Sequence, residues 1–147
     1  MATNEWKYHA ELKLELDENL PFVPCNIGEI NQVVLNLVVN GAHAIRDRFQ
    51  ESQKGDLKVS TKYYANADCV VVSINDNGGG IPPKVQARIF EPFFTTKEVG
   101  VGTGQGLAIA HNVIVKSHSG QIWFDSKEGE GTTFYIKLPM NQKKSED

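Results

Sequence analysis

Cysteine is scarce, with two in 147 residues, and neither has metal-ligand or redox spacing: Cys25 follows a proline and Cys69 opens an apolar run. Both are read as reduced, packed thiols. Long hydrophobic runs are missing too. No apolar stretch approaches the roughly 20 residues of a membrane-spanning helix, and the charged, Trp-containing start is not a secretory signal. A soluble, cytoplasmic piece without membrane contact is expected. Positive charge is not in excess either: 15 Lys and Arg against 18 Asp and Glu leave a formal net charge of −3, whereas binding a phosphate backbone relies on clustered Lys and Arg. Nucleic acid is not an expected partner, and any anion must be bound locally. The four histidines, His9, His43, His111 and His118, form no ligand cluster. His111 and His118 share a helix face but lie two turns apart, about 10 Å at the usual rise, too far to chelate one ion. All are read as structural or exposed. No G-x-x-x-x-G-K-[ST] loop, no G-x-G-x-x-G after a strand and no G-x-S-x-G elbow occurs.

Glycine, by contrast, is concentrated. Asp76-Asn77-Gly78-Gly79-Gly80 and Gly100-Val101-Gly102-Thr103-Gly104-Gln105-Gly106 flank Phe90-Glu91-Pro92-Phe93-Phe94-Thr95-Thr96-Lys97. Glycine at that density lets backbone amides approach a ligand and take positive φ, and oriented amides bind anions. A polyphosphate ligand is implied; loops that are merely flexible are the alternative.

The length and the 40% hydrophobic content suit one domain with a real core. Tyr8 to Leu16 alternates, with Tyr8, Ala10, Leu12, Leu14 and Leu16 on one side, which predicts a strand with one wet face. Ile30, Val33, Val34, Leu37, Val38, Ala42, Ile45 and Phe49 recur at helical spacing and predict a long helix over about 28–49. Two alternating runs, 57–63 and 69–75, predict a hairpin across the Ala65-Asn66-Ala67-Asp68 turn. Pro82-Pro83 suits the start of a short helix, and the aperiodic interval from Phe90 to about Thr103 is read as a lid. A second long helix is predicted from Leu107 to the Ser119-Gly120 stop. Strands over about 121–126 and 132–138 close the domain around Gly129-Glu130-Gly131. The order predicts an α+β two-layer sandwich, a mixed, mostly antiparallel sheet covered on one face by helices. The domain is expected over 8–139, with 1–7 an extension and 140–147 a polar tail.

Gln32, Asn36 and Asn40 recur every four residues and form a polar stripe on a helix otherwise apolar nearly all round. Burying an unpaired amide costs roughly 1–3 kcal/mol, so the stripe is either solvated, or hydrogen-bonded in the core, or supplies amide oxygens to a hard cation such as Mg²⁺. Asp76 continues the face of Val70, Val72 and Ile74, which puts its carboxylate at the rim of the core. An acceptor-only group there selects adenine, whose exocyclic amine donates where guanine accepts; a simple Asx turn is the other reading. The second glycine cluster runs into a helix N-terminus, where free amides favour phosphate.

Together these segments resemble the ATP-binding catalytic domain of sensor histidine kinases, within the gyrase, heat-shock chaperone, histidine kinase and mismatch-repair ATPase superfamily. Gln32-Val-Val-Leu-Asn36-Leu-Val-Val-Asn40-Gly-Ala-His-Ala44 is similar to the family's N box and Asp76-Asn-Gly78-Gly-Gly80 to its first glycine box. Phe90 to Lys97 matches the F box, Gly102-Thr-Gly104-Gln-Gly106-Leu107 the second glycine box, and Gly129-Glu-Gly131-Thr132-Thr-Phe134 the closing turn. The resemblance covers nearly the whole chain. It implies a Bergerat-type fold binding Mg²⁺·ATP, with Asn36 on the metal, Asn40 by the phosphates and Asp76 accepting from the adenine amine. Gly78 and Gly80 would shape the base pocket. Lys97 and the amides around Gly102, Gly104 and Gly106 would hold the β- and γ-phosphates, while Phe90, Phe93 and Phe94 would anchor the lid. Nucleotide contacts are further implied for Ala44, Ile81, Thr96, Thr103, Gln105, Leu107 and Thr132.

Hydrolytic relatives place a glutamate one turn before the metal-binding Asn, and here it is Gln32. An amide is no general base at neutral pH, whereas a kinase transfers to a histidine that is itself the nucleophile. The implied function is donation of the γ-phosphate to a histidine on a separate dimerisation domain, with a response regulator receiver domain as a further partner. Asn36, Lys97 and Gln32 would carry the catalytic step. Three departures stand out: Gln105 where leucine is usual, Gly41 in place of alanine, and no His-Glu/Asp-x-Arg-x-Pro acceptor site. An ATP-binding scaffold without transfer and a hydrolytic ATPase remain the alternatives.

Overall fold

The computed structural model describes residues 10–50, 52–91 and 106–140. Its longest element, helix α1 (Ile27–Phe49), begins where Asn26 takes an extended backbone and its side-chain oxygen accepts the Glu29 N–H at 3.0 Å, satisfying a donor that has no partner inside the helix. Glu29 in the first turn and Arg46 and Arg48 in the last complement the helix dipole. Val33, Leu37, Val38, Ala42 and Ile45 form its buried stripe.

That stripe lies chiefly over strands β2 (Gly55–Tyr64) and β3 (Cys69–Asp76) of a five-stranded sheet completed by β1 (Ala10–Glu15), β4 (Gln121–Lys127) and β5 (Gly131–Pro139). The order is β1-β2-β3-β5-β4. β1 and β2 run parallel and every other neighbouring pair is antiparallel, so the sheet is mixed and mostly antiparallel, as the element order predicts. Parallel pairing needs a crossover of a dozen or more residues, and α1 supplies it. Phe134, Ile136 and Leu138 alternate into the core from β5 and meet Ile74 and Ile122 from the flanking strands.

Two expectations need correction. The alternation of the first strand predicts a continuous apolar face, yet only Ala10 and Leu12 join the core, while Leu14 and Leu16 are 59% and 57% exposed. β1 is an edge strand, and its far end extends past the cover given by α1. The second long helix is also not uniform: α-helical turns over Gly106–Asn112 give way to a π-helical turn over Val113–Ser117. There His118, 2% exposed, bonds through Nδ1 to the Val113 carbonyl at 2.9 Å, and Gly120 N–H reaches the Ile114 carbonyl at 2.8 Å. These wider closures draw the last turn away from α-geometry. His118 Nε2 accepts the Asn26 N–H at 3.0 Å, which ties this turn to the start of α1 and gives the histidine its structural role. Pro83–Gln86 forms a single helical turn. Cys25 and Cys69 are both free thiols, the second buried.

Candidate nucleotide-binding site

Two groups of predicted residues converge on adjoining stretches of α1, one along Gln32, Asn36 and Asn40 and one at Gly41 and Ala44. Towards its start, the polar stripe faces the N-terminus of the Gly106–Asn112 helix: a Cβ on Gly106 would lie 3.9 Å from Asn36 Nδ2. Gln32, exposed, donates from Nε2 to Asn36 Oδ1 at 2.9 Å. Asn36 and Asn40 are half-buried. The carboxamide oxygen of Asn36 keeps a second lone pair for another partner. Among the described residues no cluster of three or more His, Cys, Asp or Glu could hold a metal ion, so a cation here would rely on Asn36 and on oxygens from a ligand, the habit of Mg²⁺ with phosphates. The donor set fits that ion.

Towards the other end, Asp76 closes β3 and is 5% exposed. Its Oδ1 accepts the Gly78 N–H at 2.8 Å, which is an Asx turn. The other oxygen, Oδ2, faces Gly41 of α1. The Asx turn occupies Oδ1 and leaves Oδ2 outside it. Burial pushes the carboxyl up to about 6, against the pull of the Gly78 and Thr132 backbone N–H groups. Gly41 suits this close approach: a Cβ there would lie 2.7 Å from the end of the Leu57 side chain at Cδ2, 3.2 Å from Asp76 Cβ and 3.4 Å from Oδ2. The space alanine would take is filled by Leu57 and Asp76.

The loop after Asp76 is held at several points. A Cβ on Gly78 would meet the Ala44 backbone and Cβ at 2.6 Å, and Gly80, at φ 76°, lies against the Lys127 carbonyl. Gly129 N–H donates to the Gly79 carbonyl at 2.7 Å and Ile81 N–H to Ser126 Oγ at 2.7 Å, and Ser126 Oγ pairs with Thr132 Oγ1 at 2.8 Å. Thr132 is opposite Asp76 in the β3–β5 register. Phe90 is held by rings on three sides, His111 at 5.3 Å, Phe124 at 6.1 Å and Phe134 at 6.4 Å between centroids; edge-on contacts of this kind suit an anchor.

Residues 25–142 match the family model described as histidine kinase-, DNA gyrase B- and HSP90-like ATPase. The chain belongs to this ATPase family. It is 40% identical over 146 residues to the sensor kinase CckA of Brucella abortus, covering 93% of this chain and 15% of that kinase. The chain thus spans a minor part of the sensor kinases that it matches. A solved catalytic domain of the histidine kinase ThkA superposes with a TM-score of 0.75 at 31% identity, covering 94% of this chain and 85% of that one. ThkA in complex with the response regulator protein TrrA superposes with a TM-score of 0.70 at 27% identity, covering 95% and 36%. The fold is that of histidine kinase ATPase domains, and the domain is of the ATP-binding kind.

Within this ATPase domain the structure brings Ala44, Asp76, Gly78, Gly80, Ile81 and Thr132 together around the loop that follows β3. Gln32, Asn36 and Gly106 meet on the other side, with Leu107 packed against the core beside them. Thr96, Lys97, Gly102, Thr103, Gly104 and Gln105 lie outside the described residues, as do Phe93 and Phe94. Sequence reasoning missed Arg48, whose Nη1 donates to the Asn77 carbonyl at 2.8 Å, and Ser126. Ser126 had a signal: alternation places it on the core face with Ile122 and Phe124, where an isolated hydroxyl needs partners. Among the described residues no helix is long and apolar enough to cross a membrane.

Proposed function

We propose that this domain binds Mg²⁺·ATP and donates the γ-phosphate to a histidine on a separate dimerisation domain, as the ATP-binding half of a two-component kinase. The observation that carries the transfer reading is Gln32. It stands one turn before Asn36 and donates to it, where a hydrolytic enzyme needs a base. Its amide holds Asn36 without taking a proton from water. In the transfer the acceptor imidazole nitrogen forms a bond to the γ-phosphorus while the bond from phosphorus to the β–γ bridging oxygen breaks, and ADP leaves with that electron pair.

The chain's own residues then bind and aim. Asp76 Oδ2 receives the adenine amine, Gly78 and Gly80 bring backbone against the base, and Asn36 holds Mg²⁺, which when bound neutralises charge on the phosphate oxygens. Asn40, Lys97, Gly102, Gly104 and Gly106 belong to the phosphate side, and catalysis amounts to positioning. A response regulator receiver domain is the downstream partner; the complex of ThkA with TrrA supports that assignment. Free thiols at Cys25 and Cys69 and the need for ATP support a cytoplasmic location.

The test supplies a dimerisation domain in trans with ATP labelled at the γ-phosphate. Label on its histidine is the expected result. Phosphate release without label would instead mark a hydrolase, and binding with neither would mark a scaffold.

A further inference from the structure

One peptide unit joins an exposed arginine to the buried carboxylate. Arg48 stands in the last turn of α1, where a cation suits the helix dipole. Its Nη1 donates to the Asn77 carbonyl at 2.8 Å and lies 3.4 Å from the carbonyl oxygens of Gly78 and Glu130. The Asn77 C=O and the Gly78 N–H are opposite ends of one planar trans peptide. That same Gly78 N–H donates to Asp76 Oδ1 at 2.8 Å. The sequence of contacts therefore runs from guanidinium through one peptide to carboxylate. Packing confines this peptide: Gly78 lies against the Ala44 backbone, and Asn77 Oδ1 accepts the Asp56 N–H at 2.8 Å.

We propose that Arg48 is a positioning residue for Asp76: by holding the Asn77–Gly78 peptide from outside, it aims the Gly78 N–H at Oδ1 and leaves Oδ2 to receive the adenine amine. This rests on the adenine role given to Asp76 above. A cation on the carbonyl polarises the peptide and strengthens its N–H as a donor, because linked hydrogen bonds reinforce one another and a charged partner strengthens them further. Without it the Gly78 N–H is a weaker and less directed donor, and the carboxylate can turn. Among the described residues, Asp56 at the start of β2 and Asp125, Lys127 and Glu130 on β4 and its turn are further charged groups near Asp76, all exposed. Lys127 and Glu130 pair with each other at 3.0 Å. None of them touches the Asn77–Gly78 carbonyl as Arg48 does.

The experiment follows the Asp76 carboxyl by carbon-13 NMR across pH in the nucleotide-free chain, in the wild type and in Arg48→Gln and Arg48→Lys. It then compares ADP and GDP affinities of the same proteins by calorimetry. Arg48→Gln should raise the Asp76 midpoint by at least about half a pH unit, and should cut the preference for ADP over GDP about three- to tenfold. Arg48→Lys should recover part of both. In an Asp76→Asn background, Arg48→Gln should change the ADP to GDP ratio no further, as expected of residues acting in series. An unmoved midpoint in a folded Arg48→Gln protein overturns the proposal. A wild type that does not distinguish ADP from GDP overturns the adenine role of Asp76 instead, while the titration still decides whether Arg48 governs the carboxylate.

Discussion

The two halves of helix α1 meet their neighbours by different means. At its C-terminal end, backbone lies directly on backbone: Gly78 is pressed against Ala44, and Arg48 grips the loop carbonyls. Towards its N-terminal end, the site consists of side chains reaching across space. Gln32 bonds to Asn36, and a Cβ added to Gly106 at the start of the next helix would lie 3.9 Å from Asn36 Nδ2, an ordinary contact. The Asp76–Gly80 loop is therefore fixed by packing, and changes there are expected to be felt first as folding defects. Gln32 is exposed and adds little to the fold, so a change there is expected to be felt first in the chemistry.

The largest expected effect breaks the packing of the loop. Gly78→Ala puts a methyl within 2.6 Å of the Ala44 backbone, where no rotamer change can relieve it, and should cost about 3 kcal/mol in urea unfolding. Its neighbour Gly79 has open space around it, so Gly79→Ala is the matched control and should cost under about 1 kcal/mol. Similar losses for both would mean that loop entropy, not the Ala44 contact, holds this region.

Nearly as large is the effect of pH through Asp76. Burial raises its carboxyl from an ordinary 3.8 to about 6, so the folded state binds the proton more tightly than the unfolded chain does. The cost of the buried charge is absent below the unfolded value and complete above about 6. Stability of the nucleotide-free domain should therefore fall as pH rises through that window, by up to about 3 kcal/mol from this group. Asp76→Asn should remove that slope. A wild-type profile no steeper than that of the Asn variant would show that the carboxylate is better solvated than its burial implies.

Gly41→Ala is expected to be milder, because the nearest atom is the end of a leucine side chain. A cost of about 1–2 kcal/mol follows from overpacking against Leu57, and Leu57→Val in the same chain should return most of it. Full additivity of the two changes would separate Gly41 from Leu57.

Much of this architecture was legible from periodicity. The stripe of α1, both hairpins and the mostly antiparallel sheet follow from spacings of 3.6 and 2, which sequence carries directly. Asp76 was legible at the rim of the core and as an Asx turn, but only the fold assigns one oxygen to Gly78 and turns the other to the Gly41 side. Arg48 gave no such signal: 29 residues separate it from Asn77, and a basic residue in a last helical turn already has a sufficient local reason. Leu14 and Leu16 misled for a related reason. Alternation tells which face a residue is on, not how far the covering helix extends. The π-helical turn depends on His118 and Gly120, which close it through contacts that no helical repeat encodes.

The smallest expected effect on stability sharpens the comparison most. Gln32 is exposed and makes one side-chain hydrogen bond, to a neighbour on its own helix, and such i,i+4 pairs stabilise a helix by about 0.2–0.5 kcal/mol. Gln32→Glu should leave the unfolding curve almost unchanged, because the substitution preserves length, helix propensity and exposure. Its chemistry differs. A carboxylate at that position can accept a proton from water, and its oxygens can no longer donate to Asn36 Oδ1, so Asn36 must turn its amide or lose the bond. Phosphate release from labelled ATP, measured without any acceptor domain, should rise in this variant, and transfer to a histidine supplied in trans should fall. A variant that is as stable as the parent but hydrolyses no faster would place the block to hydrolysis elsewhere in the site. One that unfolds readily would show that the N-terminal half of α1 carries folding energy as the glycine loop does, and the contrast between the two ends would fail.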